Sequence, residues 1–81
     1  MYEDIGVRIS VVAIFRNGGL FPHSFEWCQR TYLVQDVNFK HKQKLGESLV
    51  LYFSVLTKSN MYELSYNLNE LSWKLERVWH E

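Results

Sequence analysis

The chain has little of several features that mark common protein classes. Its single cysteine, Cys28, excludes an internal disulfide, and its single proline, Pro22, suits an edge or the start of a strand. The longest apolar runs, residues 11–15 and 49–53, are far shorter than the roughly 20 residues that a membrane-spanning helix needs. No basic stretch followed by an apolar segment opens the chain. The sequence therefore predicts a cytoplasmic protein with no membrane span.

An excess of charge of one sign is also lacking. Nine basic and nine acidic residues give a formal net charge of zero, so the overall charge favours neither nucleic acid nor an anionic membrane. Hydrophobic residues make up 47% and charged residues 22% of the chain, which is typical of a folded domain and not of a disordered segment. A chain of 81 residues has room for one domain with a thin core. We expect one small domain over residues 1–81.

What the chain does have is apolar residues at alternating positions. Phe25 and Trp27 mirror Tyr32 and Val34 around a polar pair at residues 29–30. A hairpin with its loop at 29–30 pairs Trp27 with Tyr32 and Phe25 with Val34, and it places all four side chains on one face. Beyond them, the same register pairs His23 with Asp36. The spacing thus predicts a β-hairpin.

The second half of the chain repeats this pattern. A turn at residues 58–59 pairs two apolar strands, while a turn at 59–60 shifts the register by two and keeps the same faces. A further turn at 69–70 adds a third strand. The first and third of these turns pair Val55 with Tyr62, Phe53 with Leu64, Tyr66 with Trp73, and Leu64 with Leu75.

The predicted fold is all-β, a small six-stranded antiparallel barrel or roll built from hairpins. A barrel or roll manages the exposed edges that so small a sheet would otherwise present. The alternative is an α+β fold with a C-terminal helix over residues 68–79, where apolar residues also fall at helical spacing. The six strands are expected at about residues 5–16, 22–28, 31–39, 48–57, 60–68 and 71–79.

Two of these segments also carry a resemblance to a known family. The spacing F-x-W-x-x-R-x-Y-x-V and the closing segment W-x-L-x-R-V-W resemble a small bacterial all-β family that has no assigned activity. The chain departs from that pattern at Gln29, where the family often has glycine. Some members accompany proteins related to translesion DNA polymerases, so the resemblance implies an association with DNA metabolism. The matching residues are Phe25, Trp27, Arg30, Tyr32 and Val34, and then Trp73, Leu75, Arg77, Val78 and Trp79.

Motifs for catalysis or cofactor binding are missing from the sequence. It contains no phosphate-binding glycine loop, no G-x-S-x-G, no H-E-x-x-H and no C-x-x-C. Cys28 falls on the hairpin face opposite His23, so no thiol site is expected. His23, Asp36 and His41 have no spacing that fixes them around one metal ion. We therefore expect no catalytic residue, cofactor, metal or small-molecule substrate, and a protein that is not an enzyme.

The surplus of aromatic residues favours binding instead. Aromatics are 16% of the chain, more than a thin core can bury, so some should be exposed or lie at an interface. Tyr52, which faces away from Leu51 and Phe53, and Trp79 are the candidate partner-binding residues. The sequence predicts a protein-interaction module that binds a protein partner or forms a homodimer.

A basic loop suggests an alternative function. Three lysines follow Phe39 within residues 40–44, a segment that the predicted strands leave as a loop. Lysines beside an exposed ring can neutralise phosphates and stack on a base. The alternative is an accessory nucleic-acid-binding module that uses Arg30, Phe39, Lys40, Lys42 and Lys44.

Overall fold

The computed structural model describes residues 1–80, which form seven β-strands and no helix. The all-β prediction is confirmed, and the alternative helix over residues 68–79 is wrong because a strand occupies most of that segment. One strand more is present than predicted. The strands are β1 Tyr2–Arg16, β2 Gly19–Trp27, β3 Arg30–Leu33, β4 Asp36–Leu45, β5 Ser48–Leu56, β6 Met61–Asn67 and β7 Ser72–Trp79.

All seven strands belong to one antiparallel sheet in the order β3-β2-β1-β7-β6-β5-β4. The β5-β6-β7 meander has the register of a turn at residues 58–59, the first of the two considered, with Phe53 opposite Leu64 and Tyr66 opposite Trp73. Its first turn is closed by the hydroxyl of Thr57, whose Oγ1 accepts hydrogen bonds from the backbone N–H groups of Ser59 and Asn60. In β7 the buried residues Trp73 and Leu75 flank exposed Lys74, which is the alternation of a strand and not of a helix.

The β2–β3 hairpin forms, but its predicted register is wrong by two residues. Phe25 lies opposite Tyr32 and Trp27 lies opposite Arg30. The turn therefore consists of Cys28 and Gln29, whose φ angles of 52° and 63° are those that a two-residue hairpin turn requires. A shift of two leaves every side chain on its predicted face.

The predicted strand over residues 31–39 is divided between β3 and β4, which lie at opposite ends of the sheet. Only residues 34 and 35 connect them. Within this link the N–H of Val34 donates to the carbonyl of His23, and the N–H of Gln35 donates to the carbonyl of Leu56. Asp36 lies opposite Leu56 and not opposite His23, so the predicted His23–Asp36 pair is wrong. The short link brings the two ends of the sheet together on one side, and the sheet is a roll whose end strands do not pair.

Phe25 connects the two halves of the roll. Its ring lies 5.1 Å from that of Tyr62 in β6, although β1 and β7 separate the two strands in the sheet. Burying each such apolar side chain contributes roughly 1.5–3 kcal/mol. The faces predicted for the hairpin and for the meander form one buried surface, because seven of their residues belong to the core or pack against it. They are Phe25, Trp27, Tyr32, Val34, Phe53, Leu64 and Tyr66.

Candidate interaction site

The unpaired strand edges among residues 1–80 include those of β4 and of the first half of β2. β4 is the last strand of the sheet, so its outer edge is free over ten residues. β3 pairs only with residues 24–27 of β2, which leaves the edge of β2 uncovered over residues 19–22. Pro22, which has no N–H to leave unsatisfied, lies in this uncovered segment. Free edges with unpaired backbone groups are sites where another chain can add a strand.

An apolar groove of about 410 Å³ lies between these two edges. Phe21 and Phe39 are 43% and 56% exposed, and they lie on the β2 side and the β4 side of the groove. A Cβ atom at Gly19 would come within 2.9 Å of the Phe21 ring, so a larger residue there would displace this exposed ring. The lining residues are Gly18, Gly19, Leu20, Phe21, Phe39, Lys42, Leu51 and Phe53.

The lysines of residues 40–44 lie on strand β4, so the prediction of a loop there is wrong. A bulge between Phe39 and His41 makes Lys40 the extra residue of the strand, and its Nζ lies 3.7 Å from Glu63 Oε2. After the bulge, Lys42 lies opposite Leu51 and Lys44 lies opposite Leu49. Alternation along the strand therefore places these two lysines on the same side of β4 as Phe39, and Lys42 lines the groove beside it.

Tyr52 lies on the opposite, polar face of the sheet. Its ring stacks on that of His41 at 4.7 Å, and Tyr52 lies opposite Ser65, whose Oγ donates a 2.5 Å hydrogen bond to Glu76 Oε2. Burial raises the pKa of Tyr52 above its usual 10.0, and repulsion from Glu76 and then Glu63 adds to the shift. Tyr52 is thus half-buried within a polar cluster and does not line the groove.

Trp79 is also half-buried and also outside the groove. Its ring meets Tyr2 edge-on with the centroids 4.9 Å apart. The guanidinium of Arg77 lies over the Tyr2 ring, 5.4 Å from its centroid. The Nε atom of Arg77 is 3.6 Å from both Asp4 Oδ1 and Glu63 Oε1. Within the sheet, Trp79 lies opposite Tyr2 of β1 and Met61 of β6. The structure does not bring Tyr52 and Trp79 together into one apolar surface.

The residues expected to bind nucleic acid are only partly assembled. Phe39, Lys42 and Lys44 share the groove side of β4, while Lys40 contacts Glu63. Arg30 belongs to β3 at the other end of the sheet order. Sequence reasoning missed Leu20, Phe21 and Leu51. The signal for them in the sequence is the pair of consecutive apolar residues at 20–21. Such a pair departs from strict alternation, and at a strand edge both side chains can line one groove.

A second exposed apolar area lies on the outer face of β1, β2 and β3. Val12 and Leu33 are 62% and 65% exposed, and Ser24 lies between them in the sheet. The buried hydroxyl-bearing residue interrupts this row, so the two side chains do not form a concave apolar site. The groove combines concavity, aromatic side chains and free backbone edges, and it is the stronger candidate for binding.

Comparison with known proteins finds no matching family model, no matching curated protein and no matching solved structure. The resemblance noted in the sequence stays a prediction. Within residues 1–80, no three His, Cys, Asp or Glu side chains are grouped so that they could hold a metal ion. The same residues include no helix that is long and apolar enough to cross a membrane.

Proposed function

We propose that the protein is a non-enzymatic interaction module that binds a segment of another protein in the groove between β2 and β4. The observation that carries this proposal is an apolar concavity with exposed Phe21 and Phe39 between two free strand edges. A protein segment can satisfy both features, because it brings backbone hydrogen-bonding groups as well as apolar side chains.

Charge on β4 favours a different chain over a second copy of this one. Pairing the β4 edges of two copies would bring the lysines at positions 40, 42 and 44 of both chains close to one another. Like charges on adjacent strands are destabilising, and edge lysines are a common means of preventing self-pairing. A heterologous partner avoids this repulsion.

Selection from a random peptide display library on the immobilised full chain tests the function. We expect enrichment of peptides that bind the wild-type protein and lose binding to Phe39→Ser. The matched control is Leu33→Ser, which removes an equally exposed apolar side chain outside the groove and should retain binding. A library with no enriched binders, or binders that do not distinguish the two variants, would contradict the proposal.

Nucleic-acid binding is the second candidate, supported by the position of Lys42 and Lys44 beside Phe39 on one side of β4. Neutral net charge and the Lys40–Glu63 contact weaken the attraction for phosphate. Fluorescence titration with single-stranded and double-stranded oligonucleotides at low salt decides this candidate, because phosphate contacts require affinity that falls steeply as salt rises. No binding at low salt would eliminate it.

A further inference from the structure

We infer that the segment bound in the groove is an extended strand that adds to the free edge of β4, with acidic side chains opposite Lys42 and Lys44 and an aromatic side chain opposite Phe39. This inference rests on the proposed function and specifies its partner. The order of side chains along β4 determines which residue types the partner needs at each position.

The backbone of β4 determines the conformation of the partner. Its outer edge is free from Asp36 to Leu45, and every pair of neighbouring strands in the sheet is antiparallel. A segment that pairs antiparallel with residues 39–44 continues the sheet and satisfies N–H and C=O groups that the described residues leave without a backbone partner. Because Lys40 is the extra residue of the bulge, five partner residues face these six, and at about 3.3 Å per residue they extend roughly 17 Å.

Side chains on the groove side of β4 determine the sequence of the partner. An antiparallel segment read from its N-terminus meets Lys44, then Lys42, and then Phe39. Carboxylates suit the first two positions, and an aromatic ring suits the third, where Phe39 already meets Phe53 edge-on at 5.7 Å. The expected pattern on alternate residues is therefore acidic, acidic, aromatic.

The outer side of the same segment requires a different composition. There the partner lies next to His41 and Gln43, beyond which Glu63 already contacts Lys40. Added carboxylates on this side would approach an acidic neighbour, so small neutral residues with high strand propensity suit it better. The probe that follows from both sides is the peptide Ac-TETETFTV-NH2.

Fluorescence anisotropy with the labelled probe tests the inference directly. We expect saturable binding to the full chain that weakens as salt is added. The double variant Lys42→Glu/Lys44→Glu should bind the acidic probe about tenfold more weakly or worse. The same variant should bind the charge-reversed peptide Ac-TKTKTFTV-NH2 more tightly than the wild type does. Lys58→Glu, which changes a lysine outside the groove, is the matched control and should leave both affinities unchanged.

The site of binding is checked by amide NMR of the complex. We expect the largest shifts in residues 39–44 and loss of binding when the probe's central threonine is replaced by proline, in Ac-TETEPFTV-NH2, because proline lacks the N–H that pairs with the edge. Peptide display that succeeds while the probe fails, or shifts that map away from β4, would overturn this inference and leave the proposed function standing. Failure of both experiments would overturn both. Oligonucleotide that binds residues 39–44 while the probe does not would overturn the inference in favour of a nucleic-acid partner.

Discussion

The contact between Phe25 and Tyr62 should couple two strands that are not neighbours in the sheet. Phe25 is 1% exposed, and its ring stacks on Tyr32 at 5.1 Å and meets Tyr62 edge-on at 5.1 Å. Because each aromatic pair contributes about 0.5–1.5 kcal/mol beyond its buried area, Phe25→Leu should lower the free energy of unfolding by about 2 kcal/mol. A domain of 81 residues has a total of roughly 4–12 kcal/mol, so the variant should remain folded.

A double-mutant cycle isolates the contact across the roll. Phe25→Leu, Tyr62→Leu and the double variant are unfolded in urea and followed by tryptophan fluorescence, and we expect a coupling energy of about 1 kcal/mol. The control cycle combines Phe15→Leu with Tyr62→Leu. Because Phe15 is 73% exposed, the effects of these two changes on the free energy of unfolding should be additive within about 0.3–0.5 kcal/mol. Additivity in the Phe25–Tyr62 cycle would show that the sheet does not roll over on itself, and the description of the core would be wrong.

Three further changes test local features of the structure. Cys28→Asn combined with Gln29→Gly should raise the free energy of unfolding by about 1 kcal/mol, because both residues have positive φ in the hairpin turn; urea unfolding that shows a loss would refute that geometry. Leu71→Gly should raise it by about 0.5 kcal/mol for the same reason, with φ at 54° and the side chain exposed, and a fall in melting temperature would contradict this. The raised pKa of Tyr52 means that its contribution to stability is complete below pH 10.0 and is lost as pH rises through the raised value. Tyr52→Phe should therefore make unfolding less sensitive to pH above 10, and an unchanged alkaline profile would refute the shift.

Alternation of side chains was sufficient to predict the strands that bury one face. In β5 and β6 the apolar residues at every second position can form one buried surface only as strands, and the pairing of Tyr66 with Trp73 favoured a strand over the alternative helix for β7. Spacing thus predicted the meander and its faces, while it left two registers open for the first turn. The same argument put Phe25, Trp27 and Tyr32 on one face, even though the turn lies one residue earlier than expected. A shift of two residues preserves the facing, so the pattern alone could not distinguish the two registers.

Polar segments carry no such signal. β4 has only scattered apolar residues, because it is an edge strand with much of its surface in solvent, and the lysines around Phe39 suggested a loop. The groove could not be predicted from the sequence either, because Phe21 and Phe39 are separated in sequence and line one groove only where the sheet rolls. Its position depends on which edges remain free, and no local pattern encodes that.

The sequence by itself determined which side chains face the core and that its aromatic residues exceed what the core can bury, and it favoured an all-β chain over one with a C-terminal helix, because these depend on residue type and on a period of two. The tertiary structure alone decided the strand order, the division of residues 30–45 into two end strands, and the groove between β2 and β4. These depend on how a short link and the Phe25–Tyr62 contact roll the sheet, and such contacts between distant residues leave no trace in the local spacing of the chain.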